Sequence, residues 1–574
     1  MDSQAGPQAT GRSDLLATGI SGDRRWLLWA LLFLSVVPIW FSLGDHPLFG
    51  RSDGRYATVS RNMAEGGSLL MPTLLGRPHL TKPPLTYWLE AAAMRGFGIT
   101  EFAARLPSAL AGSLTLLLLA GLGWRIGGAR VGVMAAAVLS MMPLFLIVSR
   151  ITLTDGMLGL FWFATLALGY LAVRRPRRGL VLGMWIAVAL GLMTKGPVAW
   201  MPIGVLAVWL LLGKQWGSLR RLHLVTGLIL SPLPLVTWAG MVWRHYPEAV
   251  SLWYHETIGR VGAHATHTQP IWYFLPVLVG GLFPATAMAS LPGLNLPWRT
   301  AWERLRRSSD ESLWALAVVL PFVVFSLISG KLATYLMPLC PPLALLTALM
   351  LERWLDRSRQ APTVGFKPPE VVDTFLVCVA LMAVAAIGAV FWFLGFRIYP
   401  GLVLMIVLVV SSGWLRWVWL RRPRWRGAGL AVVFVCYTAA ICGLFEIEDD
   451  LLVPISNPRM IAYIHDQVGN DRVRLVLYGV GDQSIAFYDK SLAEADNSRD
   501  LLDWAQREGP ALVVVADPKD WQKLQASDPD LAAYYQRWRV WDRTPMGSWW
   551  LMRVRPEASL MRTAQPGITA PTTP

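Results

Sequence analysis

Charge is scarce in this sequence. Asp, Glu, Lys and Arg make up only 16% of the residues, where a soluble domain carries about a quarter. Cysteine is scarcer still. The four present, Cys340, Cys378, Cys436 and Cys442, all lie inside apolar stretches. The polar parts therefore hold no disulfide framework and no thiolate zinc site. No Asn stands in the Asn-x-Ser/Thr pattern, so no acceptor for N-glycosylation is offered. The first apolar run, Trp26 to Leu43, is followed by no convincing small-residue cleavage site and reads as a retained anchor. What is abundant is apolar. Of 574 residues, 54% are hydrophobic and 29 are Trp, and mean hydropathy is +0.44. Many runs of about twenty apolar residues predict a polytopic α-helical membrane protein. The net charge of +15 would suit a nucleic-acid binder. Most of the surplus, however, sits in short loops between apolar runs, where it sets topology. Nucleic acid is excluded as a partner on that ground.

Apolar spans fall at 26–43, 107–124, 131–149, 156–173, 179–193, 197–213, 223–243, 271–293, 313–329, 335–351, 373–394, 401–420 and 427–445, about thirteen helices by length. Five basic loops, around Arg174–Arg178, Lys214–Arg221, Arg299–Arg307, Arg353–Arg359 and Arg421–Arg426, share one side when the N-terminus is cytoplasmic. The loops 44–106, 150–155, 194–196, 244–270, 330–334 and the segment after 446 then face outward. The C-terminal segment is thereby expected on the outward side of the membrane. The domain division expected is a disordered cytoplasmic tail at 1–25, a transmembrane domain at 26–446, a small outward-facing α/β domain at 447–558 and a disordered tail at 559–574.

The loop Gly50 to Trp88 concentrates chemistry. It carries Asp53, Arg55, Tyr56, Arg61, Arg77, His79 and Lys82. A carboxylate can orient or deprotonate a nucleophile, and fixed cations can hold a phosphate leaving group. The same cluster would also suit a solvated loop with a surface ion pair. Tyr56 to Gly66 has helical composition and stops at Gly66-Gly67. Pro83-Pro84 opens a second short helix, Leu85 to Arg95, in which Tyr87 and its aromatic neighbours suit the interface plane. In the other outward loops, Asp155 must be paired or functional, with Arg150 as one possible partner. Lys195 either snorkels to the headgroups or reaches the cavity, and snorkelling is favoured. His245, His255, His264 and His267 share a loop with Glu256 and Arg260. Their spacing matches no ligand pattern, so no metal site is assigned, although a divalent ion stays possible. After Glu446, Val473–Tyr478 and Ala511–Val515 read as buried strands, and Pro458–Val468 and Arg499–Glu508 as helices.

The wording of the outward loops resembles a known family. D-G-R-Y-A and P-x-L-x-G-R-P-H-L-x-K-P-P-L-x-Y-W stand in the first loop. They are followed in order by L-T-D-G-M (Leu153 to Met157), M-T-K-G (Met193 to Gly196), Glu256 with Arg260, P-I-W-Y-F-L-P-V (Pro270 to Val277) and G-K-L-A-T-Y-L-M-P (Gly330 to Pro338). This ordered set, spread over residues 26 to 352, resembles the bacterial aminoarabinose transferases, close to the protein O-mannosyltransferases. The resemblance implies the C-type membrane glycosyltransferase fold. It also implies transfer of a sugar from a polyprenyl-phosphate donor to lipid A or another envelope glycolipid, with no soluble cofactor, in a bacterial inner membrane whose periplasmic side holds the active site and the 447–558 domain. It gives Asp53 and Asp155 to catalysis. Arg55, Tyr56, Lys82, Tyr87, Glu256, Arg260, Tyr335 and Lys331 go to donor and acceptor binding.

Two positions depart from the family wording. S-D-G-R-Y stands where D-E-x-R-Y is usual, so Asp53 would fill the base role by a small shift at flexible Gly54. T-K-P (Thr81 to Pro83) stands in place of E-K-P, which leaves the sugar open. Transfer to a protein hydroxyl is the alternative acceptor chemistry. A transporter is a reading from another class, but transporters place charges at mid-membrane in repeated halves. Here the charges cluster on one outward face.

Overall fold

The computed structural model describes residues 25–48, 50–257, 268–286, 310–360, 414, 431–432, 434–439, 441–442, 456–468, 474–480, 484–508, 511–542 and 548–555. Eight α-helices lead the chain: α1 (Arg25–Trp40), α2 (Gly50–Ala64), α3 (Leu85–Phe97), α4 (Glu101–Gly127), α5 (Ala129–Ser140), α6 (Pro143–Arg150), α7 (Thr154–Arg174) and α8 (Arg178–Lys195). The helices Met201–Leu212, Leu233–His245, Asp310–Leu327 and Cys340–Gln360 follow. Among the described residues six helices are long and apolar enough to cross a membrane, or seven if the bent pair α5–α6 is one span. The chain is a multi-pass membrane protein. The candidate spans at 373–394, nearly all of 401–420 and much of 427–445 lie outside the described residues.

The stretch expected as one span at 131–149 is two helices, α5 and α6, bent by 72°. Pro143 opens α6, and Met142 before it is extended at φ −76°, ψ 117°. Proline has no N–H to give the carbonyl four residues back, and it drives its predecessor out of the helical region. A continuous helix cannot form across that point.

Helices α7 and α8 form a hairpin. Two rods of about 30 Å joined at Arg175–Arg177 return to the same level. The first turn of α7 and the last of α8 therefore meet. The opposite end is tied by ion pairs: Arg174 and Arg353 of two basic loops pair with Asp310 and Glu311, and Arg130 in the first turn of α5 pairs with Glu352 at 3.7 Å. One end of the bundle thus carries the basic loops, and the other carries Asp155 and Lys195.

The expected helix at Tyr56 begins earlier, at Gly50, and runs to Ala64. Gly66 follows at φ +105°, a conformation that costs glycine little and ends the helix. Asp53 lies in the first turn and Arg61 in the last, the arrangement a helix dipole favours. Because α2 includes residue 54, the expected flexibility at Gly54 is corrected. Gly54 is a close-packing position, where a Cβ would overlap the backbone of Ser484. Helix α3 opens at Pro84 as expected. Its Tyr87 and Met94 are buried against the bundle, while Leu89 and Phe97 are exposed.

In the loop before α3, β1 (Thr73–Leu74) and β2 (Arg77–Pro78) form a short antiparallel pair. The polar C-terminal segment folds as a five-stranded sheet. β3 (Arg474–Tyr478) pairs in parallel with β4 (Ala493–Ala495) and β5 (Leu512–Ala516). β7 (Ser548–Val554) is antiparallel to both β5 and β6 (Tyr535–Asp542), which gives the order β4-β3-β5-β7-β6. The apolar runs of β3 and β5 make the buried centre. Apolar clusters cover both faces, one around Met460, Ile464 and Trp549, the other around Leu501, Trp521 and Tyr535. The expected strands and helices are present. The hairpin β6–β7 adds two strands that local composition did not signal.

Candidate functional site

The site forms where α2, the ends of α7 and α8, and the loop before α3 converge. Asp155, in the first turn of α7, accepts from Lys195 Nζ, the last residue of α8, at 2.7 Å. Both side chains are largely buried. The same ammonium lies 4.8 Å from the ring centre of Tyr335, a cation–π contact. The short 3-10 helix Ala333–Leu339 holds that ring, and Phe325 packs against it. Lys195 is therefore turned inward onto Asp155 and Tyr335, which corrects the expectation of snorkelling. The expected Arg150 partner is also corrected. Arg150 donates to the carbonyls of Pro38, Ile39 and Phe41, at 2.8, 3.3 and 2.5 Å, and so closes the end of α1.

Tyr56 and Arg55 stand on α2 beside this pair. Tyr56 is buried, and burial pushes its hydroxyl well above the usual tyrosine range, with the charge of Asp155 adding to the shift. Arg55 opposes it, as does the hydrogen bond with Thr154. Tyr56 therefore stays protonated and can only be a neutral donor or acceptor. Among the described residues, the buried Nε of Arg55 has no hydrogen-bond partner. A buried guanidinium N–H without an acceptor costs free energy unless an anion supplies one.

Asp53 is held differently. Its Oδ2 accepts from Arg105 Nη2 at 3.1 Å, and its Oδ1 accepts from the backbone N–H and the hydroxyl of Thr152, each at 2.8 Å. Arg105 also donates to the carbonyls of Leu43, His46 and Pro47. Both oxygens of Asp53 are thus engaged in a buried latch between α2, α4 and the residues before α7. Composition did not single out Arg105 or Thr152. An arginine two residues before the span at 107–124 was the available signal for the first, since a charge at the edge of a span is costly unless paired.

The loop carrying Lys82 is pinned by three indoles. Trp88 donates to the carbonyl of Leu69 at 2.8 Å, Trp238 to Leu70 at 3.0 Å and Trp253 to Leu80 at 3.0 Å. Lys82 donates to the carbonyl of Thr81 at 3.1 Å, and Thr81 pairs with the His79 ring. Tyr87 is fully buried. It stacks on Tyr56 at 5.4 Å and meets His79 edge-on at 6.3 Å, so it backs Tyr56 from the core. Behind them, Glu90 is buried and accepts from Ser60 at 2.6 Å. Burial first, then the charge of Asp53, pushes its carboxyl up to about 8.

Lys331 is buried and donates to the carbonyl of Gln269 at 2.9 Å, where Thr268 and Gly330 form a β-bridge. It secures that crossing. Glu256 sits on the helix Ala249–Thr257, but its side chain, like Arg260, His264 and His267, lies outside the described residues. Nδ1 of His245 contacts the carbonyl of Met241 at 2.8 Å. Among the described residues no three His, Cys, Asp or Glu side chains gather as metal ligands.

Residues 81–238 match the family model for dolichyl-phosphate-mannose-protein mannosyltransferase. An undecaprenyl phosphate-alpha-4-amino-4-deoxy-L-arabinose arabinosyl transferase of Sodalis glossinidius (strain morsitans) is 32% identical over 412 residues, covering 68% of this chain and 71% of that one. A transferase of the same name from Aeromonas salmonicida (strain A449) is 29% identical, covering 67% and 70%. In three dimensions the chain is similar to the crystal structure of ArnT from Cupriavidus metallidurans bound to undecaprenyl phosphate. The TM-score is 0.70 at 22% identity, over 93% of this chain and 99% of that one. At that identity the likeness shows the shared fold.

Proposed function

The chain belongs to the family of undecaprenyl phosphate-alpha-4-amino-4-deoxy-L-arabinose arabinosyl transferases, and on that premise we propose how its own residues transfer a sugar from a polyprenyl-phosphate donor. It is a membrane glycosyltransferase, and the acceptor is lipid A or another envelope glycolipid. The observation that carries the site assignment is the Asp155–Lys195 pair beside Tyr335, Tyr56 and Arg55, whose buried Nε has no partner among the described residues. An oxygen of the acceptor attacks the anomeric carbon of the sugar. The carbon–oxygen bond to phosphate breaks, and its electron pair leaves with the phosphate. Negative charge on the phosphate grows along this path, so fixed cations in a partly dry site favour the transition state over the ground state. Arg55 and Lys82 are assigned to the phosphate, with Arg260 as a further cation. Asp155, held by Lys195, is assigned to orient the attacking group and to take its proton if that group is a hydroxyl. Asp53, with both oxygens engaged, is assigned to fixing α2.

The site and the C-terminal domain are assigned to the periplasmic face of the inner membrane. The support is the set of basic loops at the opposite end of α7 and α8. The domain boundary near residue 446 is proposed on the change to polar composition there, with the tails at 1–25 and 559–574 outside both domains.

The test is mass spectrometry of envelope lipids from a deletion strain, with and without the gene restored. Loss of one sugar substituent from lipid A or another glycolipid, regained on complementation, supports the assignment. Unchanged lipids with altered protein glycosylation would move the acceptor to a protein hydroxyl. A reporter fused after Pro574 that works only in the cytoplasm would overturn the orientation.

A further inference from the structure

The C-terminal domain touches the membrane domain through the short helix Ile485–Tyr488. Phe487 is buried in a cluster with Leu48, Ala57, Met94, Ala103 and Ala104, from α2, α3, α4 and the residues preceding α2. Its carbonyl accepts from Arg61 Nη1 of α2 at 2.7 Å. The hydroxyl of Tyr488 accepts from the backbone N–H of Leu48, two residues before α2, at 2.6 Å. It donates to Glu101 Oε1, the first residue of α4, at 3.0 Å. One turn further along α4 is Arg105, which grips Asp53 of α2. The Tyr488 hydroxyl ties the residues leading into α2 to α4, and one turn along α4 the Asp53–Arg105 pair ties α2 itself. At Gly54, between Asp53 and Arg55, there is no room for a side chain against Ser484 of the C-terminal domain. The helix that carries Asp53, Arg55 and Tyr56 is therefore seated against the C-terminal domain over its first turns and at Arg61.

From this we infer that the C-terminal domain is a working part of the transfer site, and that Tyr488 is the positioning residue through which it sets α2 against α4. The inference rests on the transferase reading above only for its kinetic consequence. Burial of the ring holds the hydroxyl above the usual tyrosine range, so the group stays protonated and bridges both partners across the physiological pH range. Removing that hydroxyl leaves the ring packing intact but frees the start of α2. The groups on α2 then sample more orientations toward the breaking bond. A loss of orientation at the reacting atoms lowers turnover more than binding.

The experiment compares Tyr488→Phe with wild type in two readouts. In hydrogen–deuterium exchange, the peptide covering residues 48–64 should exchange several-fold faster in the variant, while the peptide covering strand β5 is unchanged. This result does not depend on any assumed activity, and equal exchange at 48–64 would overturn the inference. In transfer assays with undecaprenyl-phosphate-linked sugar, kcat per folded molecule should fall about tenfold with donor KM within about twofold. An unchanged kcat in an active preparation would overturn the inference while leaving the transferase reading intact. A wild type without transfer would sink that reading and leave the exchange result to decide this one. Should Tyr488→Phe loosen β5 as well, Glu101→Ala repeats the test from the membrane side of the same hydrogen bond, with the same expected and overturning results. Asp496→Ala, which removes an exposed ion pair with Arg77, serves as the control and should match wild type in both readouts.

Discussion

Arg105 spends its guanidinium on Asp53 at 3.1 Å and on three backbone carbonyls, and both members of the pair are almost wholly buried. A buried pair of this kind is costly to break from one side, because the survivor is left charged and unpaired. That cost is about 3–5 kcal/mol in comparable pairs. Arg105→Met and Asp53→Asn should each lower the thermal stability of the purified protein markedly. The double variant should lose clearly less than the sum. Thermal unfolding of the four proteins in one detergent checks this, and additive losses would show that the two residues act separately.

Arg55 and Lys82 are the cations assigned to the leaving phosphate. A charge-assisted contact of that kind is worth about 1.5–3 kcal/mol, so Arg55→Ala and Lys82→Ala should each cut kcat/KM for the lipid donor by about ten- to a hundredfold. Binding of undecaprenyl phosphate alone, measured by competition, should weaken in parallel. Arg55→Lys should recover little, since a lysine cannot reproduce the fork of donors. Unchanged donor use in both alanine variants would place the phosphate elsewhere.

Glu90 gives a pH signature. In the folded protein its carboxyl titrates at about 8, raised by burial from an ordinary value of 4.5. Between those values the folded state holds a proton that the unfolded chain releases. The neutral Glu90 therefore supports the fold fully below about 4.5, and its contribution declines as the pH climbs toward 8. The melting temperature of wild type should fall more steeply than that of Glu90→Gln between about pH 5 and pH 8.5. Parallel curves would show that Glu90 is solvated.

Local features were legible in the sequence where local rules decide the structure. Gly66 ends α2, Pro84 opens α3, and the apolar runs at β3 and β5 become the centre of a sheet. The motif loops were legible as one group because basic residues mark the other end of the bundle. Pairings that depend on helix packing were not legible. Asp155 meets Lys195 forty residues away only because α7 and α8 return to one level. Asp53 meets Arg105 across 52 positions, and Leu48 meets Tyr488 across 440. No periodicity or spacing encodes such distances. The bend before Pro143 was hidden for a different reason, since hydropathy reads an apolar run and is blind to a missing N–H.

The most direct test of the site as a whole is transfer by purified protein from an undecaprenyl-phosphate-linked sugar to lipid A, read by mass spectrometry for wild type, Asp155→Asn and Asp53→Asn side by side. The expected result is product with wild type and a loss of at least about a hundredfold for Asp155→Asn with the fold kept. Asp53→Asn should lose activity in step with its loss of folded protein. A fully folded Asp53→Asn that is inactive, beside an Asp155→Asn near wild type, would contradict the assignment and return the chemistry to the carboxylate on α2.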